Sequence, residues 1–334
     1  MLKTTLAATV AAATLALSGM AAAQDDPVQI VYIPKNTGNP YFDSLVAGFE
    51  DACEKLGCEF SQAAPATAEA TSQIPFVTAQ IQRGVDVIAI SPNSPDALNQ
   101  VFDRARSRGI MVLAVNGDIV GSEAHRDAAI LPVDFTKTGP GQVELLGSMI
   151  GYEGQIAILS ATTDAPDQNT WIAAMKDTLE NDPKYADMEL VATVYGDDEP
   201  QKSTTEAEAL LQTYPDLKGI ASPTTVGVAA AAQVIQSAGV ADEVKLTGLG
   251  TPNQMRPFVK DGTVEAFQLW SPYNEGWLAA HFAMGVIEGD IRNEVGQTFE
   301  VPDLGEVTIQ ENNVINTQAE LTTFNADNID DYDF

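Results

Sequence analysis

The stretch Tyr32-Ile33-Pro34-Lys35-Asn36-Thr37-Gly38-Asn39-Pro40-Tyr41-Phe42 decides the fold, because it joins segments of different period. Upstream, Val28 to Ile33 is a short apolar run of strand length. Downstream, Pro40 to Leu56 places Phe42, Leu45, Val46, Phe49 and Ala52 on one helical face and stops at Gly57. In an open α/β sheet, a strand-to-helix loop of this kind lies just outside the carboxyl end of its strand, where ligands bind. The loop offers one cation (Lys35), two amides (Asn36, Asn39) and two aromatics (Tyr41, Phe42). Stacking faces beside hydrogen-bonding groups suit a small polyol. Asn39-Pro40 also reads simply as a helix start, with Asn at the N-cap and Pro at N1.

Outward from this loop the alternation continues. Strands are expected at Glu59–Ala63, Val85–Ile90 and Met111–Val115. Helices are expected at Ala68–Arg83, with Pro75 as a break or late start, and at Pro95–Arg108. The rhythm restarts after Asp134. Helices are expected at Pro140–Gly151, Gln168–Glu180, Gln201–Thr213, Val226–Ala238 and Pro252–Lys260, and strands at Gln155–Leu159, Leu190–Tyr195, Gly219–Ser222 and Lys245–Leu249. Apolar, β-branched runs separated by helices indicate parallel strands buried on both faces. The fold class is therefore α/β, with two doubly wound parallel-sheet lobes. One lobe is expected from 26–134 plus about 264–296, the other from 135–263 plus about 297–334.

The polar residues gather at strand ends. Lys35 follows the first strand, Ser91-Pro92-Asn93 the third and Asn116-Gly117-Asp118 the fourth. In the second unit Ala165-Pro166-Asp167-Gln168-Asn169, Pro223-Thr224-Thr225 and Gly250-Thr251-Pro252-Asn253 occupy equivalent places. Two such edges facing each other make a cleft of amides, carboxylates, a lysine and aromatics.

Other classes lack their chemistry. No nucleophile elbow, phosphate loop or His-Glu-x-x-His zinc motif is present, and no Gly-x-Gly-x-x-Gly follows the first strand. No cofactor, metal ligand or catalytic residue is expected. Asp118 and Asp167 could form a hydrolytic carboxylate pair, or equally serve as caps or ligand acceptors. A formal charge of −30 over 334 residues argues against nucleic acid or an anionic membrane surface as partner. Residues 1–23 read as an export leader: Lys3, an apolar run from Leu6 to Leu17, and Ala21-Ala22-Ala23 before a cleavage site. In an exported, periplasmic chain of about 310 remaining residues, Cys53 and Cys58 could form a local disulfide.

These residues together resemble type I periplasmic sugar-binding proteins of ABC importers, the ribose-binding-like superfamily, and within it rhamnose-binding proteins and autoinducer-2 receptors. The resemblance rests on Ile33-Pro34-Lys35, Asp167-Gln168-Asn169-x-Trp171 and Thr251-Pro252-Asn253-x-Met255-Arg256-Pro257. Gly262-Thr263-Val264, Leu269-Trp270 and the C-terminal Tyr332-Asp333-Phe334 add to it. It implies two lobes joined by three crossovers, closing on one sugar and docking as a monomer on a membrane permease. It also implies that Lys35, Asn116, Asp118, Asp167, Gln168 and Pro223, Thr224 and Thr225 supply polar contacts. Trp270, Tyr41 or Phe42 would pack on the sugar, with Asn36, Asn39 and Gln268 nearby. Trp171 is read as core, and Arg256 as a tie between loop and helix. Asn116 stands where the autoinducer receptors carry aspartate, and Thr225 where they carry alanine. The first swap turns a pure acceptor into a group that also donates, which favours a neutral deoxyhexose over autoinducer.

Overall fold

The computed structural model describes residues 26–317 and 320–334. The expected leader, 1–23, lies outside them. Strand β1 (Gln29–Ile33) leads into α1 (Pro40–Leu56), and β2 (Glu59–Gln62), α2 (Ile74–Arg83), β3 (Val87–Ile90), α3 (Asn99–Arg106), β4 (Met111–Val115) and β5 (Ala128–Leu131) follow. Helix α1 is defined by its ends. Asn39 accepts from the Tyr41 backbone N–H, Pro40 opens the first turn, and Gly57 closes the last in the left-handed conformation. Helix α2 begins at Ile74-Pro75, so Pro75 marks a late start, where its missing N–H costs nothing. Near the end of α1, Cys53 and Cys58 are joined in a disulfide.

The second run comprises α4 (Phe135–Ile150), β6 (Glu153–Ser160), α5 (Pro166–Asn181), β7 (Asp187–Tyr195), α6 (Pro200–Thr213), β8 (Leu217–Ser222), α7 (Thr225–Ala238), β9 (Lys245–Gly248), α8 (Pro252–Lys260) and β10 (Ala266–Leu269). Helix α9 (Pro272–Glu288), the hairpin β11 (Thr298–Val301) and β12 (Gly305–Thr308), β13 (Val314–Asn316) and β14 (Thr322–Asn325) complete the chain. Helix α4 starts five residues before its expected Pro140. Asp134 is the cap, accepting from the Thr136 N–H at 3.0 Å, and Pro140 sits inside the helix.

The first sheet is six-stranded in the order β13-β5-β4-β3-β1-β2, with all pairs parallel. Its strands are apolar on both faces because both faces are covered. Ile30 and Tyr32 of β1 point into the cluster shared with α1 and α9. Val31 and Ile33 point the other way, into the cluster holding Val77 of α2 and Phe102 of α3. The second sheet runs β7-β6-β8-β9, and a parallel bridge from Leu249 to Gln268 carries it on to β10, which pairs antiparallel with β14.

The pairing moves two expected lobe boundaries. Strand β10 belongs to the second sheet, so the return to the first lobe falls after Leu269, not near 264. The stretch from 297 through Asn316 stays in the first lobe, and only β14 and the tail after it lie in the second, as expected. Strand β13 pairs with β5, and the hairpin packs on α9 through Phe299 against Phe282 and a Trp277 Nε1 to Pro302 carbonyl bond of 2.7 Å. Both corrections concern pairings distant in sequence, which local periodicity does not encode. Three connections therefore cross between the sheets: between β5 and α4, between β10 and α9, and between β13 and β14.

The contact of α1 with α9 is unusually close. A Cβ on Gly48 would lie 2.0 Å from the Tyr273 carbonyl oxygen, and one on Gly276 2.1 Å from that of Leu45. Reciprocal glycines let the two backbones touch. In the second lobe, Arg256 holds the C-terminal tail by donating to the Ile329 and Tyr332 carbonyls.

Candidate functional site

The carboxyl ends of both sheets face each other across a small cavity lined by polar and aromatic side chains. The first lobe contributes Lys35, Asn39, Tyr41, Phe42 and Asn116. The second contributes Gln168, Trp171, Asp198, Pro223, Thr224, Thr225, Leu249 and Leu269, and Trp270 stands on the crossover into α9.

A buried scaffold fixes the Lys35 loop. Gln73, fully buried, donates to the carbonyls of Pro34 at 3.0 Å and Ser91 at 2.7 Å. Asn93 donates to the Lys35 carbonyl at 2.9 Å. The polar residues after β3 thus brace the loop instead of lining the cavity.

From that loop the lysine reaches across the cleft. Its Nζ donates to Asp167 Oδ2 at 2.5 Å and to Gln168 Oε1 at 3.2 Å, both on the first turn of α5. Further bonds span the lobes: Asn116 Nδ2 to Asp167 Oδ2 at 3.4 Å, Thr225 Oγ1 to Asn39 Oδ1 at 2.9 Å, and Asn36 Nδ2 to the Asp198 carbonyl at 3.4 Å. The lobes are closed. Asn39 serves two roles at once, capping α1 and receiving a hydroxyl from the opposite lobe. Asn116 has a φ of 70°, a left-handed conformation that Asn and Asp tolerate better than other side-chain-bearing residues. Behind it Gly117 leaves space for Asp167: a Cβ there would lie 1.9 Å from Asp167 Oδ1.

The apolar wall is aromatic and continuous across the cleft. Tyr41 meets Phe42 edge-on at 5.4 Å and Trp270 at 6.4 Å; Trp270 lies 5.8 Å from Trp171, which meets Phe135 at 5.0 Å. Glu275 of α9, fully buried, anchors this wall. It accepts from the Tyr41 hydroxyl and, at 3.1 Å, from Trp270 Nε1.

Burial governs the ionisation of the acids here. It pushes the carboxyls of Asp167 and Asp198 upward, with Lys35 drawing both back down, and raises Glu275 further still. The cavity's lysine is thus answered within the protein by Asp167. The arrangement can satisfy hydroxyls and stack on a ring face, and it presents no nucleophile held by a general base.

Several expected residues stand elsewhere. Arg126 grips both oxygens of Asp118, at 2.5 Å each, which saturates that carboxylate within the first lobe and away from the cavity wall. Asp118 and Asp167 therefore do not face each other as a hydrolytic pair. Asp167 braces the closed cleft from behind the wall. Asn36 is drawn off to Asp198, and Gln268 donates to Thr323 on β14 at 3.2 Å. Trp171 is buried, as core residues are, yet it lines the cavity with its indole N–H unpartnered. Asp198 was not foreseen. It lies in the loop after β7, and only the position of that loop at the carboxyl edge of the sheet could have pointed to it.

Two parallel-sheet lobes, three crossovers and one polar-aromatic cavity shut between them define a two-lobed binding protein that closes over one small molecule. The chain belongs to the periplasmic binding protein family: the periplasmic binding protein domain matches residues 30–291. It is similar to a sugar ABC transporter from Actinomyces odontolyticus, at 41% identity over 92% of this chain and 98% of that one, with a TM-score of 0.73. It is also similar to an ABC transporter solute binding protein from Clostridium phytofermentas with bound L-rhamnose, at 32% identity over 91% and 98%, with a TM-score of 0.86. LsrB from Clostridium saccharobutylicum in complex with AI-2 shares the fold, with a TM-score of 0.86 at 22% identity over 92% of this chain and 100% of that one.

Proposed function

We propose that this chain is the solute-binding component of an ABC importer, exported from the cytoplasm, that captures a neutral monosaccharide and hands it to a membrane permease. The observation that carries this reading is the cavity itself. Its walls come from both lobes, and Asp167 answers its lysine internally, so the remaining hydrogen-bonding groups await an uncharged polyol. The aromatic wall of Tyr41, Phe42, Trp171 and Trp270 suits the apolar face of a pyranose, and a methyl-bearing deoxyhexose best of all. The rhamnose-bound relative at 32% identity supports that choice. Ligand contacts to both lobes stabilise the closed form, and closure presents the two lobes to a permease in a fixed relation.

Asn116 also bears on the alternative, an autoinducer-2 receptor. Its amide donates to Asp167, whereas an aspartate there would set two carboxylates against each other. A thermal-shift screen of the purified protein against L-rhamnose, other deoxyhexoses, pentoses, polyols and autoinducer-2 tests the reading. A ligand at a thousandfold excess over Kd adds about 4 kcal/mol of apparent stability. A shift with L-rhamnose or another neutral sugar supports it. A shift with autoinducer-2 alone refutes it.

A further inference from the structure

Asp197 and Asp198 form the tip of the loop between β7 and α6, and both are left-handed, with φ of 55° and 54°. Asp tolerates this region singly, but two such residues in succession are uncommon and persist where the surroundings impose them. The surroundings here are specific. Lys202 pairs with Asp197 on the outer side, and Asn36 of the opposite lobe takes the Asp198 carbonyl. Thr224 donates its hydroxyl to Asp198 Oδ1. The result is a carboxylate 5% exposed that forms part of the cavity wall. Its second oxygen, Oδ2, has no partner among the described residues. Lys35, the cation lining the same cavity, is already committed to Asp167.

We infer that Asp198 is a specificity-determining ligand residue: its free oxygen accepts a sugar hydroxyl, and its charge excludes sugars that carry a carboxylate. This deepens the sugar-binding reading and rests on it. An uncharged polyol, or one bearing an ammonium group, brings the donors that Oδ2 lacks. A hexuronate brings a second negative charge into a site whose lysine is already answered by Asp167. A charge-assisted hydrogen bond of this kind contributes more than a neutral one. Because Asp198 follows the second sheet while its carbonyl bonds Asn36 of the first lobe, a ligand held there also favours closure.

The test is calorimetric titration of the full chain with L-rhamnose, D-ribose, D-arabinose, D-galacturonate and D-glucuronate. It covers the wild type, Asp198→Asn and Asp198→Gly; Asn and Gly both tolerate the left-handed backbone, so the loop keeps its shape. The expected result is that the wild type binds a neutral sugar and neither hexuronate. Both variants should bind that sugar tenfold or more weakly, and Asp198→Asn should narrow the gap between neutral and acidic sugars. Wild-type protein binding a hexuronate as tightly as any neutral sugar overturns the inference, whatever the variants do. So does a variant whose affinity for the neutral sugar stays within twofold of wild type. Wild type binding none of the neutral sugars removes the sugar-binding reading instead.

Discussion

Replacing Asp167 with alanine should stop the lobes from closing while leaving each lobe folded. The acceptors of Lys35 in the closed cleft, Asp167 Oδ2 at 2.5 Å and Gln168 Oε1 at 3.2 Å, both sit on α5 in the opposite lobe. The pair therefore exists only when the lobes meet. In that state the side chains of Lys35 and Asp167 are 4% and 0% exposed. Removing the carboxylate leaves a buried ammonium with one neutral acceptor, and breaking a buried pair in this way costs about 3–5 kcal/mol. In the open form both groups meet water, so the cost falls on closure alone. At 1.4 kcal/mol per factor of ten, affinity for L-rhamnose should fall roughly a hundredfold to several-thousandfold. Asp167→Asn keeps the shape and an acceptor but loses the charge-assisted bond, about 1.5–3 kcal/mol, so its loss should be smaller. Small-angle scattering with and without L-rhamnose reads closure, and calorimetry reads affinity. Normal sugar-induced compaction of Asp167→Ala, or an affinity within threefold of wild type, would refute the reasoning.

Gly117→Ala should act on the same contact from the other side. Its new Cβ would fall 1.9 Å from Asp167 Oδ1, so sugar affinity should drop tenfold or more while the melting temperature of the ligand-free protein barely moves. Gly48→Ala should show the opposite pattern. Its Cβ would strike the Tyr273 carbonyl at 2.0 Å, where only backbone can yield, and urea unfolding should record a loss of about 1–3 kcal/mol or more. The third expectation concerns pH. Burial raises Glu275 well above 4.5, so the folded protein binds a proton that the unfolded chain releases, and stability falls as pH rises above 4.5. Glu275→Gln removes that dependence and keeps an acceptor for Tyr41 and Trp270. Its melting temperature should gain on wild type at pH 8 and not at pH 4; an equal difference at both would count against a buried, titrating Glu275.

What the sequence carries plainly is whatever the chain states locally. Asn39, Pro40 and Gly57 delimit α1 because each answers a backbone need at a helix end, and β1 from Ile30 on and β4 throughout are apolar because neighbours cover both their faces. Strand β5 carries little local signal, since Ala128-Ala129-Ile130-Leu131 is short and half alanine, and its place depends on pairing with β4 and the distant β13. The site divides along the same line. Lys35, Asn39, Asn116, Gln168 and Thr225 were legible as polar residues at strand ends, and they do meet at one cavity. Asp118 carried the same local signal, yet Arg126, eight residues on, claims both its oxygens. Trp171 presented the reverse ambiguity, because a cavity wall and a core follow the same helical period, and only the other lobe's approach makes one face into a wall. Asp198 shows the limit most clearly: it lies in a short acidic turn like many others until Thr224 takes its carboxylate and Asn36, from the other lobe, its backbone carbonyl. Closing the lobes brings together residues far apart in the sequence, so which strand-end residues face a ligand is a property of closure and is legible only where the lobes meet.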